Sequence, residues 1–500
     1  MTKEQVKYIY HPLGGLRLDM PSTLLKDHFA TEAVNISLSE SDLEVISGFS
    51  FLGNNLPLDS TILAVNQFIF LSDLVETVAC TVGGVYRLNA SNNWISILDP
   101  LDTWAADPDY PVTMTFSQNA ILITNGIDEI KVWNGVDTYI SSLPGGYIAT
   151  DISTYGERLI LANTIEIGKE YKQRIRWTKV GTYDDFTGGK AGFVDLFDTS
   201  GEILAMKKLG ESLVIYKKDS IIMCNWIGGQ SVFKFDTRVS DIGLVAPKAI
   251  ANEGDRHLFL AYDNVYEFIG GRKVKPIGNG IQRKMPRLIR EDDIHKSVAI
   301  RHGDEVWFFT PMQSGNPNIA FIYNWRRDAW SESTFKASSV GTYIDYERVL
   351  IGNLTGSIGN LEGMIGDFGG LSFKTKITLG DEDGNIFSKA SQTFLYGEQP
   401  IQAYWCSKDF PGGEDYRNTY NRYRGVEFDA KGDKLSVWYS TDFGNNWVKI
   451  DTLTLTPTFD LYRAWFDTSA RQIRFKFQNE EGSYFSLRTF KIMFREGATR

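Results

Sequence analysis

Gly210-Glu-Ser-Leu-Val-Ile-Tyr216 joins a glycine-acid step to a short apolar run, and this pattern recurs along the chain. Related stretches begin at Asn119, Gly156, Gly254 and Gly303, and weaker copies lie at 67–70 and 346–352. A glycine before an acidic residue supplies the positive φ of a tight turn. The apolar run is too short for a helix and suits a strand buried on both faces. The copies recur about every 40 to 55 residues, which is the period of a four-stranded propeller blade.

Further strands follow most copies, and we interpret them as the outer strands of the blades. They lie at 85–94, 131–135, 220–225, 265–271 and 320–325. Because position and order repeat together, the sequence predicts a β-propeller of about seven blades. The alternative is a set of unrelated hairpins in a large β-sandwich.

From about Leu371 the strands alternate strictly between apolar and polar residues, as at 372–379, 435–439 and 472–477. Such alternation is typical of sheets with one solvated face. We therefore expect an all-β chain, with a β-propeller followed by a C-terminal β-sandwich-like domain. The expected boundaries are 1–58 for an N-terminal arm and entry strand, 59–370 for the propeller and 371–500 for the last domain.

Composition narrows the functional classes. The 500 residues include 31 Phe, 23 Tyr, 12 Trp and 46 Gly but only 15 Pro, which suits strands joined by tight turns. A net charge of −10 argues against general affinity for a nucleic-acid backbone. Cys80, Cys224 and Cys406 are too far apart to indicate a disulfide framework or a cysteine metal site. No signal peptide or membrane-spanning apolar stretch is expected.

The sharpest local motif is Ser440-Thr-Asp442-Phe-Gly444-Asn-Asn-Trp447, which resembles the Asp boxes of sialidases and other β-proteins. The Asp442 carboxylate would accept hydrogen bonds from the turn, Gly444 would adopt a left-handed conformation, and Trp447 would pack beneath the hairpin. We interpret the motif as a structural turn. A sialidase-like or carbohydrate-binding propeller remains the alternative function.

The segment 273–293 interrupts the repeat and suggests a short helix inserted between blades. Its basic residues Arg283, Lys284, Arg287 and Arg290 are candidates for contact with DNA or an acidic partner. The alternative is a solvated surface balanced by the acidic run at 291–293.

Other motifs do not indicate a catalytic or metal site. Asp381-Glu-Asp383-Gly384-Asn385 has the carboxylate density of a Ca²⁺ loop, but it lacks the downstream Glu and reads as a hairpin turn. The five histidines have no metal-ligand spacing, and His257 is expected to be a hydrogen-bonded core residue. No phosphate loop and no distinctive carboxylate pair occurs. The motifs therefore predict no enzyme activity, no cofactor and no metal.

A resemblance to a known family extends over roughly residues 10 to 370. It is carried by 14–25, 33–37, 47–49, 176–178, 184–187, 201–203, 217–221 and 238–247. These stretches include the Gly14-Gly15-Leu start, the Ala33-Val-Asn35 segment and the Lys217-Lys-Asp-Ser-Ile221 step. They resemble the β-propeller tail nozzle or tail-hub proteins of short-tailed bacteriophages, also described as tail tubular or packaged-DNA stabilisation proteins.

The resemblance implies a non-enzymatic structural protein of the virion tail, assembled in the host cytoplasm. Copies of the chain would form a ring, typically of about six subunits, by repeated heterologous contacts. The expected partners are portal or adaptor proteins and tail fibres or a tail tip. DNA would pass through the ring without sequence-specific binding. A cellular propeller scaffold that binds other proteins is a further alternative.

Overall fold

The computed structural model describes residues 5–9, 14–38, 42–72, 74–229, 231–285, 289, 291–345, 374–390, 393–411 and 419–499. Within these ranges the fold is all-β apart from the short 3₁₀ turns Gly278–Gly280 and Ile294–Lys296 and the α-helical residue Met285. No helix in this part of the chain is long and apolar enough to cross a membrane.

Antiparallel sheets arranged about a common axis form a β-propeller of seven blades, as the repeat predicts. The strongest apolar copies supply the second strand of their blades, next to the innermost strand. From the innermost strand outwards, blade 1 consists of Ile62–Ile69, Val75–Thr81, Val85–Leu88 and Trp94–Ser96, and blade 2 of Thr113–Ser117, Ala120–Thr124, Lys131–Trp133 and Ser141–Ser142. Blade 3 consists of Ile148–Tyr155, Arg158–Glu166, Lys169–Trp177 and Gly192–Asp195, and blade 4 of Ile203–Leu209, Ser212–Lys217, Ile221–Trp226 and Phe233–Val239. Blade 5 consists of Ile250–Glu253, Arg256–Leu260, Val265–Phe268 and Lys275–Pro276, and blade 6 of Val298–His302, Glu305–Thr310, Ile319–Asn324 and Ala329–Ser333.

Blade 7 is completed by the N-terminal part of the chain. In order, its strands are Ser339–Asp345, Lys374–Gly380, Ile386–Lys389, Phe49–Phe51, Leu395–Tyr396 and Gln399–Pro400. Its first strand packs on the first strand of blade 1, where Gly341 lies so close to the Val65 carbonyl that no Cβ fits between them. The ring is therefore closed by residues from both parts of the sequence.

The turn chemistry expected from the repeat is confirmed. Gly156, Gly210, Gly254 and Gly303 connect first and second strands, and their φ values lie between 56 and 60°. The strand Ser212–Lys217 that follows one of these turns is buried on both faces. The weaker copy at 67–70 instead lies largely in the first strand of blade 1, and the copy at 346–352 falls outside the described residues.

A β-sandwich of two sheets lies beside the propeller. One sheet contains Gln5–Ile9, Ile36–Leu38, Leu43–Val45, Thr419–Gly432, Asp460–Ala470 and Phe485–Thr499, and the other contains Ala30–Val34, Tyr404–Ser407, Phe410–Pro411, Lys434–Ser440, Val448–Thr454 and Gln472–Asn479. Trp405, Phe428, Phe477 and Phe490 pack between the sheets with almost no exposed surface.

The domain boundaries differ from those predicted. Residues 374–400 belong to blade 7, and the sandwich takes its strands from residues 5–45 as well as from the part of the chain after 400. The alternation of apolar and polar residues could not assign 374–400 to blade 7, because a half-solvated blade and a sandwich sheet show the same alternation. The N-terminal partners are also hundreds of residues distant in sequence, beyond the reach of a local pattern.

Asn35 joins the propeller to the sandwich. Its backbone N–H donates to the Glu332 carbonyl at 2.7 Å, and its side-chain oxygen accepts hydrogen bonds from Ser333 Oγ and Thr334 N. Its side-chain nitrogen donates to the Gln402 carbonyl at 2.8 Å. Asn35 has φ 54°, which Asn adopts more readily than most residues. These bonds connect the sheet of blade 6 to the sandwich sheet.

Candidate functional site

The Asp-box turn connects two strands of the sandwich, Lys434–Ser440 and Val448–Thr454. Asp442 accepts hydrogen bonds from Ser440 Oγ at 2.7 Å and from the Asn446 backbone N–H at 2.9 Å. The bonds from Asn446 and Ser440 lower the pKa of Asp442 to about 2. Gly444 has φ 88°, and the half-buried Trp447 ring lies 4.8 Å from the Lys476 ammonium. The carboxylate oxygens of Asp442 thus accept hydrogen bonds from groups within the turn itself.

The basic segment lies between blades 5 and 6. Lys284 forms an ion pair with the buried carboxylate of Glu332, at 2.5 Å, and Arg283 is exposed. Arg287 and Arg290 fall outside the described residues. Where the chain is described, the segment forms the 3₁₀ turn and then hydrogen bonds from Lys284 and Met285 to the Ile281 carbonyl. Lys284 therefore has an internal partner, and Arg283 is exposed to solvent.

Two other sequence candidates are structural. Asp381 accepts hydrogen bonds from the backbone of Asp383 and Asn385, so this segment is the hairpin turn between two strands of blade 7. His257 is fully buried between Tyr216 Oη and the Lys208 carbonyl, which confirms the expected core role, and burial lowers its pKa to about 4. Among the described residues no three His, Cys, Asp or Glu side chains are grouped to hold a metal ion.

Residues that carry the family resemblance also have structural contacts. The Lys217 side chain is fully buried, and its ammonium donates to the carbonyls of Leu196 and Thr199 and to Gln173 Oε1. It thereby ties blade 4 to the end of blade 3. Lys217 is a structural lysine with neutral oxygen acceptors.

A cavity of about 560 Å³ opens at the end of the propeller axis where the innermost strands begin. All seven blades or the loops that lead into them contribute to its lining, through Leu63, Tyr110, Thr150, Leu204, Lys248, Val298 and Ser338. This position is typical of ligand sites in radial β folds, because side chains from distant parts of the sequence converge there.

Charged side chains surround this axial cavity. Its lining includes four lysines, Lys172, Lys218, Lys248 and Lys296, and two carboxylates, Asp109 and Glu202. Lys218 binds Glu202 at 2.6 Å, and Lys296 binds Asp109 at 2.9 Å. Lys172 also contacts Glu170 at 3.8 Å and Lys296 also contacts Asp293 at 3.2 Å, so three of the four lysines have carboxylate partners.

Lys248 differs from the other lysines of the cavity in its partner. Its ammonium donates a hydrogen bond to the Leu63 carbonyl of blade 1, and among the described residues it forms no ion pair. The residue as a whole is half-buried, but burial around the ammonium lowers its pKa to about 8. Beside it, the Ser297 hydroxyl is buried and has no hydrogen-bond partner within the described ranges.

A second feature lies on blade 3, where the hairpin of Arg158–Glu166 and Lys169–Trp177 ends in the two-residue turn Ile167-Gly168. We call this hairpin the blade 3 arm. Ile167 is fully exposed and has φ 52°, and Gly168 has φ 73°. Such a turn favours Asn-Gly, and a β-branched residue at positive φ is a steric outlier. An exposed, strained isoleucine is unfavourable for the isolated chain on both counts.

The blade 3 arm is stiffened by a charge network. Glu166 pairs with Arg174 at 3.1 Å and with Arg176 at 2.6 Å, and Arg174 also binds Asp195 at 2.7 Å. The Arg174 guanidinium lies 3.5 Å from the centre of the Tyr171 ring. Burial opposes ionisation of Glu166, but the two arginines outweigh it and lower its pKa. The arm therefore presents Ile167 on a rigid support.

Sequence reasoning missed both features. The lysines of the axial cavity come from four separate parts of the chain, so no local spacing reveals them. The sequence Glu166-Ile-Gly-Lys169 could have indicated Ile167, because it has an Ile-Gly pair at a hairpin turn, where Asn-Gly would be expected.

Comparison with known proteins supports the fold and nothing finer. No protein-family profile and no curated protein matches the sequence. A virginiamycin B lyase structure from Staphylococcus aureus is 13% identical, with a TM-score of 0.41 over 68% of this chain and 98% of that chain. BamB from Moraxella catarrhalis is 10% identical, with a TM-score of 0.37 over 77% and 99%. PorZ, a surface component of the type-IX secretion system of Porphyromonas gingivalis, is 11% identical, with a TM-score of 0.37 over 81% of this chain and 46% of that chain.

One sequence prediction is corrected by this comparison. The chain was expected not to be an enzyme, yet one of the similar structures is a lyase. The prediction rested on the lack of catalytic motifs, which does not exclude an enzyme. Functional side chains of a propeller converge from several blades, so they need not form a motif in the sequence.

Proposed function

We propose that the chain is a structural protein of a bacteriophage tail, in which copies pack side by side into a ring around the tail axis. The ring would have about six subunits, as the family resemblance implies. It would surround the path of the DNA and support other tail proteins. Portal or adaptor proteins and fibres or a tip would be its neighbours in the virion, after assembly in the host cytoplasm.

The observation that carries this proposal is Ile167 at the tip of the blade 3 arm. Its side chain is fully exposed, and its backbone has a φ of 52°. A left-handed conformation costs a residue with a Cβ about 1–2 kcal/mol. Burial of an isoleucine against a neighbour contributes about 1.5–3 kcal/mol, which offsets this cost only in an assembly. A contact with another copy explains why an isoleucine occupies the position.

A ring with heterologous contacts needs two different surfaces on each copy. The sandwich supplies a second exposed apolar surface on its edge strand Asp460–Ala470, where Leu461 and Trp465 are 54% and 61% exposed. The Trp465 ring lies against Gly425 of the neighbouring strand. The Asn35 junction holds the sandwich on blade 6, so both surfaces belong to one rigid subunit.

Native mass spectrometry of the purified chain and of three variants tests the proposal. Ile167→Asn and Trp465→Ser are expected to convert rings into single chains. Leu101→Asp is the matched control, because Leu101 is 95% exposed in the loop between blades 1 and 2 and belongs to neither surface, and it should leave the rings intact. A wild-type chain that is monomeric at all concentrations would refute the proposal, as would rings that survive both interface substitutions.

The Ile167→Asn variant separates assembly from folding. Asn tolerates positive φ, so the free energy of unfolding of the single chain should rise by about 1 kcal/mol. Thermal or denaturant unfolding measures this change. Loss of rings together with a gain in chain stability would show that Ile167 serves the contact between copies.

A further inference from the structure

We propose that the axial cavity binds a phosphorylated small organic molecule with hydroxyl groups next to the phosphate, such as a sugar phosphate. This site is separate from the surfaces that the ring proposal uses. The inference starts from the size of the cavity, about 560 Å³, which lies within the range of small-molecule sites.

The charge of the lining selects an anion. Four ammonium groups line the cavity, and three of them pair with carboxylates, which leaves the Lys248 ammonium without an ion pair among the described residues. A phosphate monoester has a charge of about −1.5 to −2 at neutral pH, so it would neutralise the Lys248 ammonium and also attract the neighbouring lysines. The lysines belong to different blades and converge on one space, which suits the several oxygens of a phosphate better than a single carboxylate.

Lys248 provides the strongest position for the phosphate. Its ammonium has a neutral acceptor, the Leu63 carbonyl, and the Asp151 carboxylate acts on it only at longer range, so an anion entering the cavity would be its first direct ion-pair partner among the described residues. Lys218 and Lys172 on the rim share one carboxylate, Glu202, at 2.6 and 3.9 Å. Lys172 also lies 3.8 Å from Glu170, and both lysines are 60% exposed, so their ammonium groups can reach a ligand in the cavity.

Polar and apolar groups of the lining fit the organic part of the ligand. The buried Ser297 hydroxyl has no partner in the described part of the chain and can donate to or accept from a ligand hydroxyl. Asp109 and Glu202 can accept from further hydroxyls, as carboxylates commonly do. Tyr110, half exposed at the mouth, and the flanking Pro108 and Pro111 supply apolar surface.

Isothermal titration calorimetry on the full-length chain tests the site with glucose 6-phosphate, inorganic phosphate and glucose. Glucose 6-phosphate is expected to bind more tightly than inorganic phosphate, and glucose should give no binding. Lys248→Met and Lys218→Met should each weaken glucose 6-phosphate binding about tenfold, as expected for loss of a hydrogen bond to a charged group. Lys218 is 60% exposed, so its replacement leaves the fold intact.

Lys275→Met is the matched control, because Lys275 lies on the outermost strand of blade 5 and is 68% exposed. It removes the same charge outside the cavity and should leave binding unchanged. Three results would overturn the proposal: no binding of glucose 6-phosphate at millimolar concentration, equal binding of inorganic phosphate and glucose 6-phosphate, or binding that neither cavity substitution weakens.

Discussion

Two lysines with lowered pKa values lie in different environments, Lys248 in the axial cavity and Lys389 where blades 6 and 7 meet the sandwich. Burial lowers the pKa of Lys248 to about 8 and that of Lys389 to about 7. Both donate to a backbone carbonyl, Lys248 to Leu63 and Lys389 to Ser47. Their other neighbours are different.

Lys389 is surrounded by groups that stabilise a cation. Its ammonium lies 4.6 Å from the centre of the Phe49 ring and 5.0 Å from that of Trp307, and Glu305 is a nearby carboxylate. Glu305 in turn accepts hydrogen bonds from Trp307 Nε1 at 3.0 Å and from Ser37 Oγ at 2.6 Å. These groups come from both domains, so they form part of the junction.

The difference separates a structural lysine from one that can bind a ligand. At the junction the aromatic rings and the Glu305 carboxylate already stabilise the ammonium of Lys389. In the axial cavity the ammonium of Lys248 has a neutral carbonyl partner and no aromatic face; the Asp151 carboxylate acts on it at longer range, and it lies beside open space. A lowered pKa alone therefore does not identify a functional lysine, because burial produces it in both places.

The largest expected effect is at the junction. Glu305→Ala removes the acceptor of Trp307 and Ser37 and leaves Lys389 without its carboxylate. A buried donor left without its acceptor typically costs about 1–3 kcal/mol, and with two such donors we expect a loss of free energy of unfolding of about 2–4 kcal/mol. Denaturant unfolding measures it. The variant Glu305→Gln keeps an oxygen acceptor and should lose less, and a loss below about 1 kcal/mol in Glu305→Ala would refute the role of Glu305.

An intermediate effect is expected in the pH dependence of stability. The folded chain lowers the pKa of Lys389 from 10.5 to about 7, so above pH 7 the unfolded chain binds more protons at this residue. Its contribution to stability therefore rises with pH from about 7 to 10.5 and is least favourable below pH 7. The difference in free energy of unfolding between wild type and Lys389→Met should change with pH between about 7 and 9. A constant difference would contradict the lowered pKa.

The smallest effect on stability is expected at the axial cavity. Lys248→Met loses a hydrogen bond to the Leu63 carbonyl but also relieves the burial of an ammonium group. These opposite effects should leave the free energy of unfolding within about 1 kcal/mol of the wild type. Thermal unfolding of the two chains checks this. A loss as large as that of Glu305→Ala would mean that Lys248 is a structural residue like Lys389.

Much of the fold could be predicted from the sequence because blade strands are local. The glycine turns at Gly156, Gly210, Gly254 and Gly303 and the apolar strands after them are neighbours in sequence and in space. The pairing of Phe49–Phe51 with Ile386–Lys389 joins segments more than 300 residues apart, and no local pattern encodes it. The domain boundaries were displaced for this reason.

Candidate sites were predicted less well, for a related reason. The Asp box was recognisable because its hydrogen bonds lie within the eight residues 440–447. The axial cavity takes Lys172, Lys218, Lys248 and Lys296 from blades 3 to 6 and their connecting loops, and only ring closure brings them together. Ile167 was detectable in principle, because its turn is local, but its meaning depends on φ and exposure.

Electron cryo-microscopy of the purified chain at near-atomic detail tests the proposed assembly most directly. We predict closed rings of about six copies, with Ile167 of each copy buried against its neighbour. Single chains, or rings in which Ile167 and Trp465 both face solvent, would contradict the assembly inferred from the blade 3 arm.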